Sequence, residues 1–222
     1  MAPPGPPPEG AYPIDGEGVW CEIMPGAARG GAALFLDRDG VVIEDRDYVA
    51  RAADMRLIAG AASLVAAANR ARIPVVIVTN QSGIARGLYG WAEFAAVEAA
   101  LVAALAAEGA RLDAVYATPH VAGGAAPYDH PDHPARKPNP GMLTRAARDL
   151  ALDLARSWLV GDKAADIEAA RRAGLAGAVH VLTGHGAKER TLATARVKPG
   201  FELRLARSIA DLGDLVAELA RG

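Results

Sequence analysis

The chain has 222 residues, 51% hydrophobic and 23% charged, enough for one sizeable core. A net charge of −2 gives no basis for a nucleic-acid or anionic-membrane partner, and no apolar run is long enough to span a bilayer. The single cysteine, Cys21, excludes an internal disulfide and suits a reducing compartment, so a cytoplasmic protein is expected.

Residues 1–13 are rich in proline and glycine, with neither a basic start nor an apolar stretch. They read as neither signal peptide nor anchor, and an N-terminal extension over 1–30 is expected before a single domain over 31–222. Apolar strand-like runs then alternate with alanine-rich helical stretches. Strands are expected at 32–36, 75–78, 112–117, 157–160 and 178–182. Helices are expected at 58–72, at 91–108, from about residue 140, and at 164–173 with a stop at Gly174. Ile209, Leu212, Val216 and Leu219 form one helical stripe near the end, most simply a packing face. This alternation argues for an α/β fold, a parallel sheet with helices on both faces.

In such sheets ligands bind at the carboxyl ends of the strands, and chemically capable residues stand there. Asp37-Arg38-Asp39-Gly40 follows the first strand, Thr79-Asn80-Gln81-Ser82-Gly83 the second, and Gly161-Asp162 the run Trp158-Leu159-Val160. Arg136-Lys137-Pro138 precedes the helix that leads into that run. Side chains two apart on an extended backbone share a face, so Asp37 and Asp39 would repel unless a cation or a proton relieves them. One would attack or bind metal and the other move a proton. The early glycine and the missing closing Glu exclude an EF-hand calcium loop. Carboxylates from separate segments suit Mg²⁺ with substrate phosphate, and Thr79 and Lys137 would hold phosphoryl oxygens. Attack by an aspartate makes an aspartyl-phosphate the natural intermediate. Asp166 would either orient Lys137 and the metal's surroundings or serve as a first-turn acid facing the helix dipole.

Residues 36–41, Val78-Thr79-Asn80, Arg136-Lys137-Pro138 and residues 160–166 resemble, in order, the four motifs of the haloacid dehalogenase superfamily of phosphatases. The resemblance implies a three-layer Rossmann-like sheet, a nucleophile at Asp37 and a general acid/base at Asp39. It implies phosphoryl binding by Thr79 and Lys137, and Mg²⁺ held by Asp37, the backbone carbonyl of Asp39, and Asp162. Residues 37–48, 79–87 and 136–142 further resemble the D-glycero-D-manno-heptose 1,7-bisphosphate 7-phosphatases and the related histidinol-phosphate phosphatases. That likeness implies a substrate flap at Asp45, Arg46, Asp47 and Tyr48, with further substrate contacts at Thr79, Asn80, Gln81, Ser82, Arg136 and Lys163. The spacings from Asp39 to Thr79 and from Thr79 to Lys137 leave no room for an inserted cap domain. A capless monomer acting on a small phosphorylated metabolite is expected.

The subfamily's zinc loop is altered. Thr118-Pro119-His120 and His133-Pro134-Ala135 stand where it carries cysteines. His120, His130 and His133 supply three candidate ligands where a structural zinc wants four, so zinc is not expected. The alternatives to a heptose bisphosphatase are a histidinol-phosphate or other small-metabolite phosphatase, and a non-catalytic phospho-receiver or phospho-ligand-binding module. Asp39 argues against the receiver, which needs no second acid beside its nucleophile.

Overall fold

The computed structural model describes residues 10–221. In chain order the strands and helices are β1 (Trp20–Ile23), β2 (Leu34–Leu36), α1 (Ala61–Arg70), β3 (Val75–Asn80), α2 (Ser82–Ala85), α3 (Trp91–Ala107) and β4 (Ala114–Thr118). They continue with α4 (Gly141–Leu150), β5 (Trp158–Gly161), α5 (Ala164–Ala173), β6 (Gly177–His180), α6 (Gly186–Thr194), β7 (Glu202–Leu205) and α7 (Gly213–Leu219).

The sheet order is β1-β4-β3-β2-β5-β6-β7. Every pair is parallel except β1 with β4. The strand period of two divides the core. Leu34, Leu36, Val75, Ile77 and Val160 point to one face, where α1, α3 and α7 bring Leu64, Phe94, Leu101 and Leu215. Ala33, Phe35, Val76, Val78 and Leu159 point to the other, against Met142, Leu143, Ile167 and Ala170 of α4 and α5. Strands covered on both faces must be apolar throughout, which is why β2, β3 and β5 are nearly unbroken apolar runs.

Four elements lie outside the expected set, one of them the single-turn helix α2 directly behind β3. Trp20–Ile23, inside the expected 1–30 extension, forms the antiparallel edge strand β1, with Trp20 buried among Trp91 and Phe94. β7 closes the opposite edge with a half-exposed, alternating Glu-Leu-Arg-Leu. α6 follows β6 directly after Thr183-Gly184-His185. The terminal stripe breaks at Leu212, with a short 3₁₀ turn over Ile209–Asp211 ahead of α7. The first nine residues of the expected extension lie outside the described residues.

Candidate active site

β2 lies at mid-sheet between β3 and β5, where the strand order reverses. Crossovers leave to opposite sides there and open a crevice beyond the strand ends. The Asp37 N–H donates to Val160 O at 2.9 Å, which fixes the nucleophile candidate at the strand end. Past Asp39 the backbone turns at Gly40, whose φ of 86° suits glycine. A Cβ there would also lie 2.6 Å from Asp162 Oδ2 and 2.9 Å from the Cα of Gly184. The turn therefore packs directly on the segment behind β6.

Asp37, Asp162 and Asp166 are buried, with ligand oxygens within 4.8 Å of one another. Lys137 joins them from the other side: its Nζ lies 2.8 Å from Asp37 Oδ1 and 2.6 Å from Asp166 Oδ1, and donates to Val78 O at 2.8 Å. Burial works against each charge, but Lys137 and Lys163 outweigh it at Asp37 and hold that carboxyl below its ordinary range. Lys137 is likewise pushed up, because Asp166 and Asp37 overcome its burial. At Asp162 the charge of Lys163 does not outweigh the opposing effects. Burial and the charges of Asp37 and Asp166 push it up to about 8.

Asp162 also supplies the test of metal fit. Its Oδ2 accepts the His185 N–H at 2.7 Å, while its Oδ1 is buried with no hydrogen-bond partner. A buried carboxylate oxygen with no donor, beside a second carboxylate, is what a hard divalent cation would satisfy. Asp166 does not compete for that role. Its Oδ1 is taken by Lys137, and its Oδ2 accepts the Lys163 N–H at 2.9 Å, capping the start of α5 from its first turn. Both sequence readings of Asp166 thus hold at once: it caps the helix and orients Lys137.

Asp39 is held by a second network. Arg38 Nη2 donates to Asp39 Oδ2 at 3.1 Å and Gln81 Nε2 donates to the same oxygen at 2.7 Å. Gln81 Nε2 also donates to Thr79 Oγ1 at 2.9 Å. Its Oε1 accepts Arg38 Nη2 at 3.1 Å and the Tyr89 hydroxyl. Two amide hydrogens and two lone pairs are therefore all in use. Arg38 is itself fully buried, pairs with Glu98 of α3 at 2.7 Å and lies over the Phe94 ring at 5.1 Å. Asn80 braces the opposite wall, its Oδ1 accepting the Lys137 N–H at 3.1 Å and its Nδ2 donating to Lys137 O at 3.0 Å.

A cavity of about 210 Å³ opens above these groups, lined by Asp39, Asn80, Gln81, Ser82 and Lys163 on the scaffold side and by Asp45, Asp47 and Tyr48 of the expected flap. Arg46 points elsewhere, with its guanidinium 2.6 Å from Glu44. Arg136 is half-buried outside the cavity lining and donates to His120 O at 2.7 Å. Burial, then the charge of Arg86, push its pKa down.

The three loop histidines do come together. His120 and His133 are buried and stack with centroids 3.7 Å apart at 4°, and His130 meets both edge-on. His120 Nδ1 is bonded to Thr118 Oγ1 at 2.9 Å, and His133 Nδ1 accepts the Ala135 N–H at 3.2 Å. Burial, then His133 and His130, push His120 down to about 4. Among the described residues, the groups of three side chains placed to share a metal are Asp37–Asp162–Asp166 and Asp45–Asp47–His185.

Sequence reasoning missed Arg38, Glu98, Tyr89 and His185. The only local signal was an arginine wedged between two aspartates, a position where an unpaired charge would be costly.

The family model described as HAD-hydrolase-like matches residues 134–212, which include Lys137, Asp162 and Asp166. A D-glycero-beta-D-manno-heptose-1,7-bisphosphate 7-phosphatase of Mesorhizobium japonicum is 46% identical over 94% of this chain and 92% of its own length. A D-glycero-D-manno-heptose-1,7-bisphosphate 7-phosphatase of Thermosynechococcus vestitus is 45% identical over 69% of this chain and 80% of its own. Among solved structures, D,D-heptose 1,7-bisphosphate phosphatase of B. bronchiseptica, complexed with magnesium and phosphate, superposes with a TM-score of 0.73 at 35% identity. That match covers 84% of this chain and 98% of the other. A HAD-like protein of Mesorhizobium loti reaches a TM-score of 0.83 at 45% identity, covering 95% and 97%. The chain belongs to the HAD-like hydrolase family, as a phosphatase of its heptose-1,7-bisphosphate phosphatase branch.

Proposed function

We propose that the chain is a Mg²⁺-dependent phosphomonoesterase that removes the 7-phosphate from D-glycero-D-manno-heptose 1,7-bisphosphate through an aspartyl-phosphate. The observation that carries this reading is the buried Asp37–Lys137–Asp166 row beside the unpartnered Asp162 oxygen, with Asp39 locked two residues beyond Asp37. The names of the Mesorhizobium japonicum and Thermosynechococcus vestitus relatives support the substrate.

Asp37, charged because Lys137 and Lys163 favour its ionised form, attacks phosphorus. As the ester P–O bond breaks, Asp39 gives its proton to the departing alkoxide. The resulting Asp39 carboxylate then takes a proton from a water that attacks phosphorus. This cleaves the acyl-phosphate and returns Asp37 with inorganic phosphate. Thr79 Oγ1 accepts from Gln81, which leaves its own hydrogen free for a phosphoryl oxygen. Lys137 Nζ has three acceptors here, one of which a phosphoryl oxygen would replace. Mg²⁺, held by Asp37, the Asp39 carbonyl and Asp162, would neutralise phosphoryl charge and satisfy Asp162 Oδ1.

Selectivity comes from the flap, since Asp45, Asp47 and Tyr48 line the cavity. A cytoplasmic enzyme fits the lone, half-buried Cys21, whose thiol burial pushes up to about 12. Among the described residues no helix is long and apolar enough to cross a membrane. Purified protein with Mg²⁺ should hydrolyse the heptose bisphosphate at least tenfold faster, in kcat/KM, than histidinol phosphate, about 1.4 kcal/mol of discrimination. Equal values would overturn the substrate assignment and favour a general small-metabolite phosphatase.

A further inference from the structure

Resting on the phosphatase reading above, we propose that His185 is a positioning residue that sets sugar selectivity, pinning the substrate flap to the metal-binding wall through Asp45. The His185 N–H donates to Asp162 Oδ2 at 2.7 Å, and its ring Nε2 lies 3.0 Å from Asp45 Oδ2. One residue therefore touches both the buried carboxylate wall and the flap, with its backbone on the first and its side chain on the second.

The backbone half of this link is rigid. Thr183 Oγ1 donates to Gly40 O at 2.6 Å, and Gly184, at φ 58°, faces Gly40 so closely that a Cβ on it would lie 2.7 Å from the Gly40 Cα. His185 then opens α6. The imidazole thus projects from a segment clamped to the turn that carries Asp39.

The flap half needs holding. Asp47 and Tyr48 have φ of 50° and 72°, two successive side-chain-bearing residues in the left-handed region. Such a pair persists only where neighbours over-determine it. Locally the flap has two ties, the Asp47 N–H on Asp45 Oδ1 at 3.1 Å and the exposed Arg46–Glu44 pair at 2.6 Å. Tyr48 is 43% exposed, with its ring 6.4 Å from that of Tyr89. Asp45 is the anchored end, with a side chain only 13% exposed. Lys163 Nζ also lies near Asp45, at 3.8 Å, beyond hydrogen-bond length. Asp45, Asp47 and His185 also meet the spacing of a cation cluster, but Lys163 already brings a positive charge to that carboxylate. A tether explains the group better than a second ion does.

His185 also lines the cavity, so the tether sets the space left for the part of the substrate beyond the transferred phosphate. Its removal should cost the polyol more than the phosphoryl group. The backbone N–H on Asp162 survives any side-chain change, which separates the two halves of the link.

The test compares wild type, His185→Ala, His185→Gln and Asp45→Asn as full-length proteins with Mg²⁺, on heptose 1,7-bisphosphate and on p-nitrophenyl phosphate. The charge-assisted bond predicts a loss of about tenfold in kcat/KM on the sugar for His185→Ala, mainly through KM. The loss on the nitrophenyl ester should be at least about five times smaller, because that ester presents no polyol to the flap. His185→Gln, which keeps a donor near the Nε2 position, should recover most of the sugar activity. His185→Ala combined with Asp45→Asn should cost no more than the worse single change. Equal losses on both substrates, no loss on either, or additive losses in the double variant would overturn the proposal. Wild-type turnover of the sugar bisphosphate judges the substrate reading separately. If another sugar phosphate is preferred, the same ratios are read on that compound.

Discussion

Gln81→Leu separates a role in substrate binding from a role in holding the general acid. Leucine keeps roughly the volume of glutamine and removes all four polar contacts, among them the 2.7 Å bond to Asp39 Oδ2. A hydrogen bond contributes about 0.5–1.5 kcal/mol between neutral partners and about 1.5–3 kcal/mol to a charged one, and Asp39 would keep only its longer contacts to Arg38, at 3.1–3.3 Å. Loss of position at the proton donor therefore predicts a fall in kcat of roughly 10- to 100-fold. Because every donor and acceptor on Gln81 already has a protein partner, KM should change by less than about threefold. Steady-state kinetics on the sugar bisphosphate reads both numbers, and circular dichroism melting checks that the fold survives. A raised KM at unchanged kcat would refute the reasoning and return Gln81 to direct substrate contact. Unchanged kcat and KM would remove it from the site altogether.

Lys137→Met leaves Asp37 and Asp166 buried without their shared cation, which should cost about 3–5 kcal/mol of stability by denaturant unfolding and abolish turnover. A variant as stable as wild type would show that the two carboxylates do not depend on Lys137. The histidine stack predicts a pH effect of definite sign. His120 falls from 6.5 to about 4 on folding, so the unfolded chain takes up the proton first. Its stabilising effect is complete above about pH 6.5 and is lost as pH falls towards 4. At pH 5 that loss is about 2 kcal/mol for this group alone. His120→Phe keeps a flat ring but cannot titrate, so its melting temperature should fall less than that of wild type between pH 7.5 and 5. Parallel curves would show that His120 does not set the acid limit.

The parts legible in sequence were those whose signal is local. β2, β3 and β5 are short apolar runs covered on both faces, and each ends in the polar residue that the sheet presents at its rim. β1 and β7 were missed because an edge strand needs only one buried face. Trp20 alone is fully buried in β1, and β7 has no buried residue, with its middle two half-exposed and its ends exposed. The catalytic motifs declared Asp37, Thr79, Lys137 and Asp162 by type and order, but not which side chains would be saturated by protein partners. Gln81 has the same residue type whether it meets a sugar or an aspartate. Only the folded chain brings Arg38 of the β2 turn against Glu98 of α3, or His185 against Asp45. Those contacts join residues far apart in sequence, with no spacing rule to announce them. Asp166 shows the opposite case, where two sequence readings that compete on paper use different oxygens of one carboxylate.

The division of labour between Asp37 and Asp39 can be put to one direct measurement. Asp39→Asn is mixed with the sugar bisphosphate and Mg²⁺, quenched in acid, and examined by intact mass and peptide mapping. The variant should retain one phosphoryl group, on Asp37, with turnover at least about a hundredfold below wild type, while Asp37→Asn should retain none and turn over nothing. Wild-type turnover by Asp39→Asn, or a phosphoryl group mapped to any other residue, would contradict the mechanism.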